Sequence, residues 1–182
     1  MHASIVTLAP PLPATLAKAP TPPSYSDAGT VETPGIGAGA LVRTLGGDRL
    51  VETLEPGTTL VDSDGRVHSL LRRITLQLSQ ARVVRIAPGA LDLRGRLDRD
   101  LVVGAAQSVQ FDDWRTQLVH GATAFVPASS LCDDMLIAAE DRANTVLHVL
   151  VTRQRAVIVV NGMRMLSATR TQAARLGLPQ HH

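Results

Sequence analysis

Six histidines, one cysteine and two Asp-Asp pairs supply most of the side chains in this sequence that could do chemistry. Adjacent aspartates serve calcium or magnesium only within a loop of alternating oxygen ligands, and neither Asp112-Asp113 nor Asp133-Asp134 sits in one. Both pairs fit solvated turns. His68 and His120 lack a partner at metal-ligand spacing, and His181 and His182 stand at the chain end, so no metal or cofactor is expected. Cys132 is alone, which excludes an intramolecular disulfide and a cysteine cage. The neighbouring carboxylates of Asp133 and Asp134 should raise its pKa and make it a poor nucleophile. His148 differs from the other histidines because it interrupts the apolar run Thr145-Val146-Leu147-His148-Val149-Leu150-Val151. It is either a hydrogen-bonded core histidine or an acid held in a dry site. Gly35-Ile36-Gly37-Ala38-Gly39 imitates a phosphate-binding loop, but a short strand rather than a helix follows it, so a dinucleotide site fails its context.

The 182 residues around these groups suit one domain and a tail. Hydrophobic residues make up 45% and aromatics only 2%, so Val, Leu, Ile and Ala must fill the core and stacking platforms for bases or sugars are scarce. The net charge is +2, with basic residues spread among acids such as Asp98 and Asp100, which argues against a nucleic-acid partner. A protein partner stays open, and the composition says nothing of oligomeric state. No apolar run approaches the roughly 18 residues of a membrane span. The start, MHASIVTLAPPLPATLAKAP, has no early positive charge and is broken by Pro10, Pro11 and Pro13. It is a poor secretory signal, and the expected location is cytoplasmic, or secreted without a cleavable signal peptide.

Seven of the eleven prolines fall in the first 34 residues, beside Ala, Ser and Thr with no periodic apolar face. Residues 1–34 are expected to form a flexible, disordered tail, with Tyr25 its one aromatic handle. From Ala40 onward short apolar or alternating runs are separated by turn residues, the pattern of antiparallel strands and hairpins. A first hairpin is expected from Leu41–Thr44 and Arg49–Glu52 around Gly46-Gly47-Asp48, and a second from Thr58–Val61 and a run Val67–Leu78 around Asp64-Gly65. A separate buried strand, Arg82–Ile86, precedes a loop over 88–99. Short strands at Leu101–Val103 and Ser108–Phe111 flank Gly104-Ala105-Ala106-Gln107, and residues 117–127 hold a strand pair or one strand kinked at Gly121. Thr145–Val151 and Ala156–Val160 belong in a core sheet, and Asn161-Gly162 predicts a type I′ turn into Met163–Leu166. Ser167 to Gly177 could make a short helix, stopped by Gly177 and Pro179.

The order of these pieces resembles the bacterial branch of the Hedgehog/intein (Hint) family. Gly35-Ile36-Gly37-Ala38-Gly39-Ala40-Leu41-Val42-Arg43-Thr44 is similar to that family's opening, Cys-Phe-x-x-Gly-Thr-x-Ile-x-Thr, with Gly39 and Thr44 matching. The stretch Val51 to Val61 resembles Val-Glu-x-Leu-x-x-Gly-Asp-x-Val. Val84 to Leu91 and Arg99 to Val103 look like Arg-Ile-x-x-Gly-Ala-Leu and Arg-Asp-Leu-x-Val. Phe125 to Leu131 resembles Leu-Val-Pro-Ala-x-x-Leu, and His148 falls where the family commonly has a histidine in an apolar strand.

The resemblance implies a compact all-β, Hint-like fold over residues 35–168, with 169–182 a short helix or frayed tail. In a working member, a thiol or hydroxyl on the first residue attacks the preceding carbonyl, turning an amide into a thioester or ester. Gly35 stands at that position and has no side chain; Thr33 lies two residues away. The family's Ser-Pro-x-His, which polarises the scissile amide and protonates its nitrogen, corresponds to Gly104-Ala105-Ala106-Gln107. Its Asp-Arg-His corresponds to Thr152-Arg153-Gln154. Gly35, Gly104, Gln107 and Gln154 are therefore expected to be vestigial, with His148 the surviving candidate acid. The expected function is a degenerate, inactive Hint-like domain acting as a structural or interaction module. The alternatives are residual self-cleavage, with Thr33 or water as nucleophile and His148 as acid, and an unrelated small β-barrel binding module. The separation of the Gly35 backbone from the Gln107 side chain discriminates, because the family fold brings the two together.

Overall fold

The computed structural model describes residues 32–90, 97, 99–111 and 124–175. The expectations for the tail before residue 32, Asp112-Asp113, His120, Gly121 and the end beyond 175 lie outside the described residues. Twelve strands join in one sheet system: β1 (Ile36–Gly37), β2 (Leu41–Thr44), β3 (Gly47–Leu50), β4 (Thr59–Val61), β5 (Val67–Ile86), β6 (Leu101–Gly104), β7 (Ser108–Phe111), β8 (Ala124–Pro127), β9 (Ile137–Thr152), β10 (Val157–Val160), β11 (Met163–Leu166) and β12 (Ala168–Thr169). A helix of six residues, α1 (Arg170–Arg175), follows. Nearly every pairing is antiparallel; β12 runs parallel to β9. The all-β expectation holds.

Local chemistry accounts for the turn into β11. Asn161 and Gly162 have φ of 46° and 84°, the paired left-handed conformation that a two-residue hairpin of native twist requires. The Asn161 side chain also ties β10 to β2: its Oδ1 accepts the Leu41 N–H at 2.6 Å, and the Asn161 N–H donates to Leu41 O at 2.8 Å. At the start of the domain the hairpin turn is Leu45-Gly46, one step earlier than Gly46-Gly47-Asp48. Thr44 pairs with Gly47, and Val51–Thr53, Glu52 included, is a 3-10 turn rather than strand.

The largest departure from expectation is β5. One strand of 20 residues replaces the two expected at Val67–Leu78 and Arg82–Ile86. Its partner β9 has 16 residues and begins at Ile137, eight positions before the run that reads as strand in the sequence. The two lie antiparallel from Leu70↔Thr152 to Ile86↔Ile137. The polar Ser79 and Gln80 are exposed on this ribbon, where they need no core, and Gln80 pairs with Ala143 of the facing strand. Neighbouring residues of the ribbon point to two different cores, although the alternation is not uniform along it: a register shift lies between Leu70 and Arg72. Val83 and Leu147 face one, with Ile74 and Ala173; Val84 and Leu150 face the other, with Leu60 and Met165. Each fully buried side chain of this size contributes about 1.5–3 kcal/mol.

β1 positions the candidate site. It lies between β6 and β9, with Ile36 paired to both Val103 and His148. Since β6 also pairs β5, and β5 pairs β9, these four strands close on themselves around β1.

Candidate functional site

The closure brings the start of β1 against the turn between β6 and β7. The Gly35 N–H donates to Gln107 Oε1 at 3.1 Å, in a buried contact between residues 72 apart in the chain. The Gly104 N–H donates to Gly35 O at 2.9 Å, and the Ala106 N–H to Thr33 O at 3.4 Å. On its other side Gln107 Nε2 donates to Ser108 O at 3.2 Å and Leu166 O at 3.0 Å. These partners decide which way the amide faces: a backbone N–H can only donate, so oxygen faces Gly35, and two carbonyls can only accept, so nitrogen faces them. Gln107 is 5% exposed and spends its amide holding the Pro34–Gly35 peptide in place. It presents the Gly35 nitrogen with an acceptor.

The backbone here leaves no room for side chains at two glycines. Gly35 has φ of 146°, a conformation L side chains rarely adopt, and a Cβ added there would meet Leu147 Cβ at 2.9 Å. At Gly104 an added Cβ would overlap the Thr33 carbonyl oxygen and press on the Pro34 carbonyl carbon at 3.1 Å. The upstream chain thus occupies the space where a longer residue at 104 would begin.

His148 is 3% exposed and neighbours Ile36 in the sheet, but its ring hydrogen bonds run elsewhere. Arg73 Nη1 lies 3.1 Å and Thr75 Oγ1 3.3 Å from its Nδ1. Arginine only donates, so Nδ1 accepts and a neutral ring carries its proton on Nε2, which is buried without a hydrogen-bond partner. Burial, then the Arg73 charge, holds the imidazole pKa below its usual range, against a pull from Glu52. The unfolded chain therefore binds more protons just below the ordinary histidine value, and stability falls as pH drops through that window towards the folded pKa. Melting temperatures between about pH 7 and 5 should fall less steeply in His148→Gln, whose amide oxygen still accepts from Arg73. Parallel profiles for the two proteins would count against a neutral buried ring. The depressed carboxyls of Asp62, Asp133 and Glu140 titrate at lower pH, outside that window.

Gln154 is exposed just past the end of β9 and lies with Val67, His68 and Arg153 at a surface pocket. The groups that the sequence did not single out are its neighbours. Thr152 Oγ1 donates to Gln154 O at 2.6 Å and so accepts from Ser167 Oγ, also at 2.6 Å. Ser167 Oγ in turn accepts the Ala156 N–H at 2.9 Å. The one available signal was a pair of hydroxyls flanking the last hairpin.

Cys132 is partly buried, and its thiol is pushed up first by burial and then by the Asp134 carboxylate. The order of causes differs from the expectation of charge alone. Asp133 Oδ1 accepts the N–H groups of Met135, Leu136 and Ile137 at 2.8–2.9 Å, so this carboxylate caps a turn. His68 Nε2 sits 3.3 Å from Asp62 Oδ2, whose other oxygen closes the β4–β5 turn. Among the described residues no three His, Cys, Asp or Glu side chains are grouped to hold a metal ion, and no helix is long and apolar enough to cross a membrane.

A family model described as the Hint domain matches residues 34–172. The fold is similar to the DnaB intein from Synechocystis sp. PCC 6803, at 11% identity over 75% of this chain and 99% of that one, with a TM-score of 0.50. It is equally similar to a bacterial intein-like domain from Clostridium thermocellum, at 11% identity, the same coverage of 75% and 99%, and a TM-score of 0.50. At such identity these likenesses speak for the fold alone. No curated protein sequence matches the chain.

Proposed function

The chain belongs to the Hint domain family, and on that premise we propose that it is a catalytically inactive member serving as a structural or interaction module. The observation that carries this is the doubly anchored Gln107 amide, whose oxygen receives the Gly35 N–H while its nitrogen is bound to two carbonyls. Such contacts stabilise the intact peptide and offer nothing to a leaving amine, and binding a ground state does not speed a reaction. The bare Gly35 supports the same conclusion, because acyl transfer in this position starts from a thiol or hydroxyl. The module runs over residues 35–168, with α1 docked through Ala173, and its small net charge of +2 favours a protein over a nucleic acid as any partner. An unrelated β-barrel is set aside by the family match and by the 3.1 Å contact between Gly35 and Gln107.

Residual self-cleavage keeps one observation in its favour: Thr33 Oγ1 is buried without a hydrogen-bond partner. Attack by that oxygen would fall on the Glu32 carbonyl, one bond upstream of Thr33. Intact mass of the full chain after prolonged incubation with thiol separates the two. A single species at 19.3 kDa is expected, whereas products broken at Glu32–Thr33 or Pro34–Gly35 would overturn inactivity.

A further inference from the structure

Beside the Gln107 amide a cavity of about 280 Å³ opens where β1, β9, β10, β11 and α1 meet. Its accessible apolar walls are Pro34, Leu166 and Ala168, backed by the buried Ile36 and Ile158. Arg155 and Arg175, both exposed residues, also line it, and among the described residues no carboxylate does. Arg155 Nη2 donates to Ser108 Oγ at 3.1 Å, and neither arginine takes part in an ion pair among the described residues. Gln172, a further lining residue, uses its oxygen on the Thr169 N–H at 3.0 Å, which leaves its NH2 as a donor.

An apolar chamber with two permanent positive charges and a free amide donor is complementary to one ligand chemistry. We propose that this cavity binds a small amphipathic carboxylate, its apolar tail against Pro34, Leu166 and Ala168 and its carboxylate between Arg155 and Arg175. Guanidinium matches carboxylate in charge and in fork geometry, whereas a neutral hydrophobe leaves both cations uncompensated and a cationic one is repelled. The apolar walls bury the tail and the polar edge sets the choice of head group, the usual division of labour in ligand pockets. The inference deepens the module assigned above and rests on it, because Pro34 and Ile36 form a wall only while the Pro34–Gly35 bond is whole.

The test is an NMR titration of the isotope-labelled full chain with sodium octanoate and, separately, with 1-octanol. Octanoate should shift the amides of Ala106–Ser108 and Leu166–Ala168 saturably, and 1-octanol should bind at least about tenfold more weakly. The R155Q/R175Q variant, changed only at exposed side chains, should lose about tenfold for octanoate and keep its affinity for 1-octanol. Absence of saturable shifts at these amides, or equal affinity for acid and alcohol, would refute the proposal. Intact mass from the same samples reports on cleavage independently, so an uncut chain that ignores octanoate removes the ligand assignment alone.

Discussion

Gly35→Cys, which places a thiol at the head of β1, yields a less stable chain that remains whole. At φ of 146° the backbone of residue 35 lies where glycine is nearly the sole occupant, and holding another residue there costs about 1–3 kcal/mol. The new Cβ also meets Leu147 Cβ at 2.9 Å, and that neighbour sits in the middle of β9, where it cannot swing aside. Together these should lower the melting temperature by roughly 5–10 °C, at about 2–4 °C per kcal/mol for a chain of this size. Gly35→Ala brings the same Cβ without the sulfur and should cost nearly as much, which separates backbone strain from chemistry. Melting curves and intact mass of both variants read the two effects. An unchanged melting point in Gly35→Cys would remove the steric account, and a thiol-dependent fragment would remove the inactive assignment.

Gly104→Ser should be at least as damaging. The obstacle there is the Thr33 carbonyl group, a backbone atom that no rotamer change can move. To admit a side chain at 104 the upstream segment must lift away. The contacts then lost are Ala106 N–H to Thr33 O, Gly104 N–H to Gly35 O and Gly35 N–H to Gln107 Oε1. At about 1 kcal/mol for each hydrogen bond, the loss is roughly 3 kcal/mol, or a drop of about 6–12 °C in melting temperature. Hydrogen exchange supplies a local reading, since the Gly35 amide should lose its protection while the Leu41 amide, held by Asn161, keeps its own. Retained protection at Gly35 with an unaltered melt would show that the chain accommodates serine without moving Thr33. Placing side chains at residues 35 and 104 together thus meets resistance at two glycines, each committed to a backbone arrangement of its own.

The parts of the fold legible in the sequence are those set by neighbouring residues. Asn161-Gly162 is readable because left-handed φ is a local demand, and β10 because a β-branched run such as Val157–Val160 prefers extended backbone. The length of β5 and β9 was hidden. Ala138, Ala139 and Glu140 have little strand preference of their own, and Ser79-Gln80 reads as a break. Both segments are extended because each is the other's hydrogen-bond partner, and that pairing outweighs local preference. In the site, the absence of a side chain at Gly35 and the inability of the Gln107 amide to give up a proton were visible from residue types. Gln107 as the acceptor of the Gly35 N–H was not, because the same side chain could equally have turned its NH2 that way.

By itself the sequence determined which reactive atoms exist: no side-chain oxygen or sulfur at residue 35, an amide at 107 and an imidazole at 148. Covalent structure carries that information whatever the chain does. Tertiary structure alone decided what those atoms face. It set Gln107 on the Gly35 nitrogen, the Thr33 carbonyl on Gly104, and Arg73 on His148. Each of these contacts joins segments some 70 or more residues apart, and their meeting depends on the register of strands closing around β1, where a shift of one residue would turn every side chain to the opposite face.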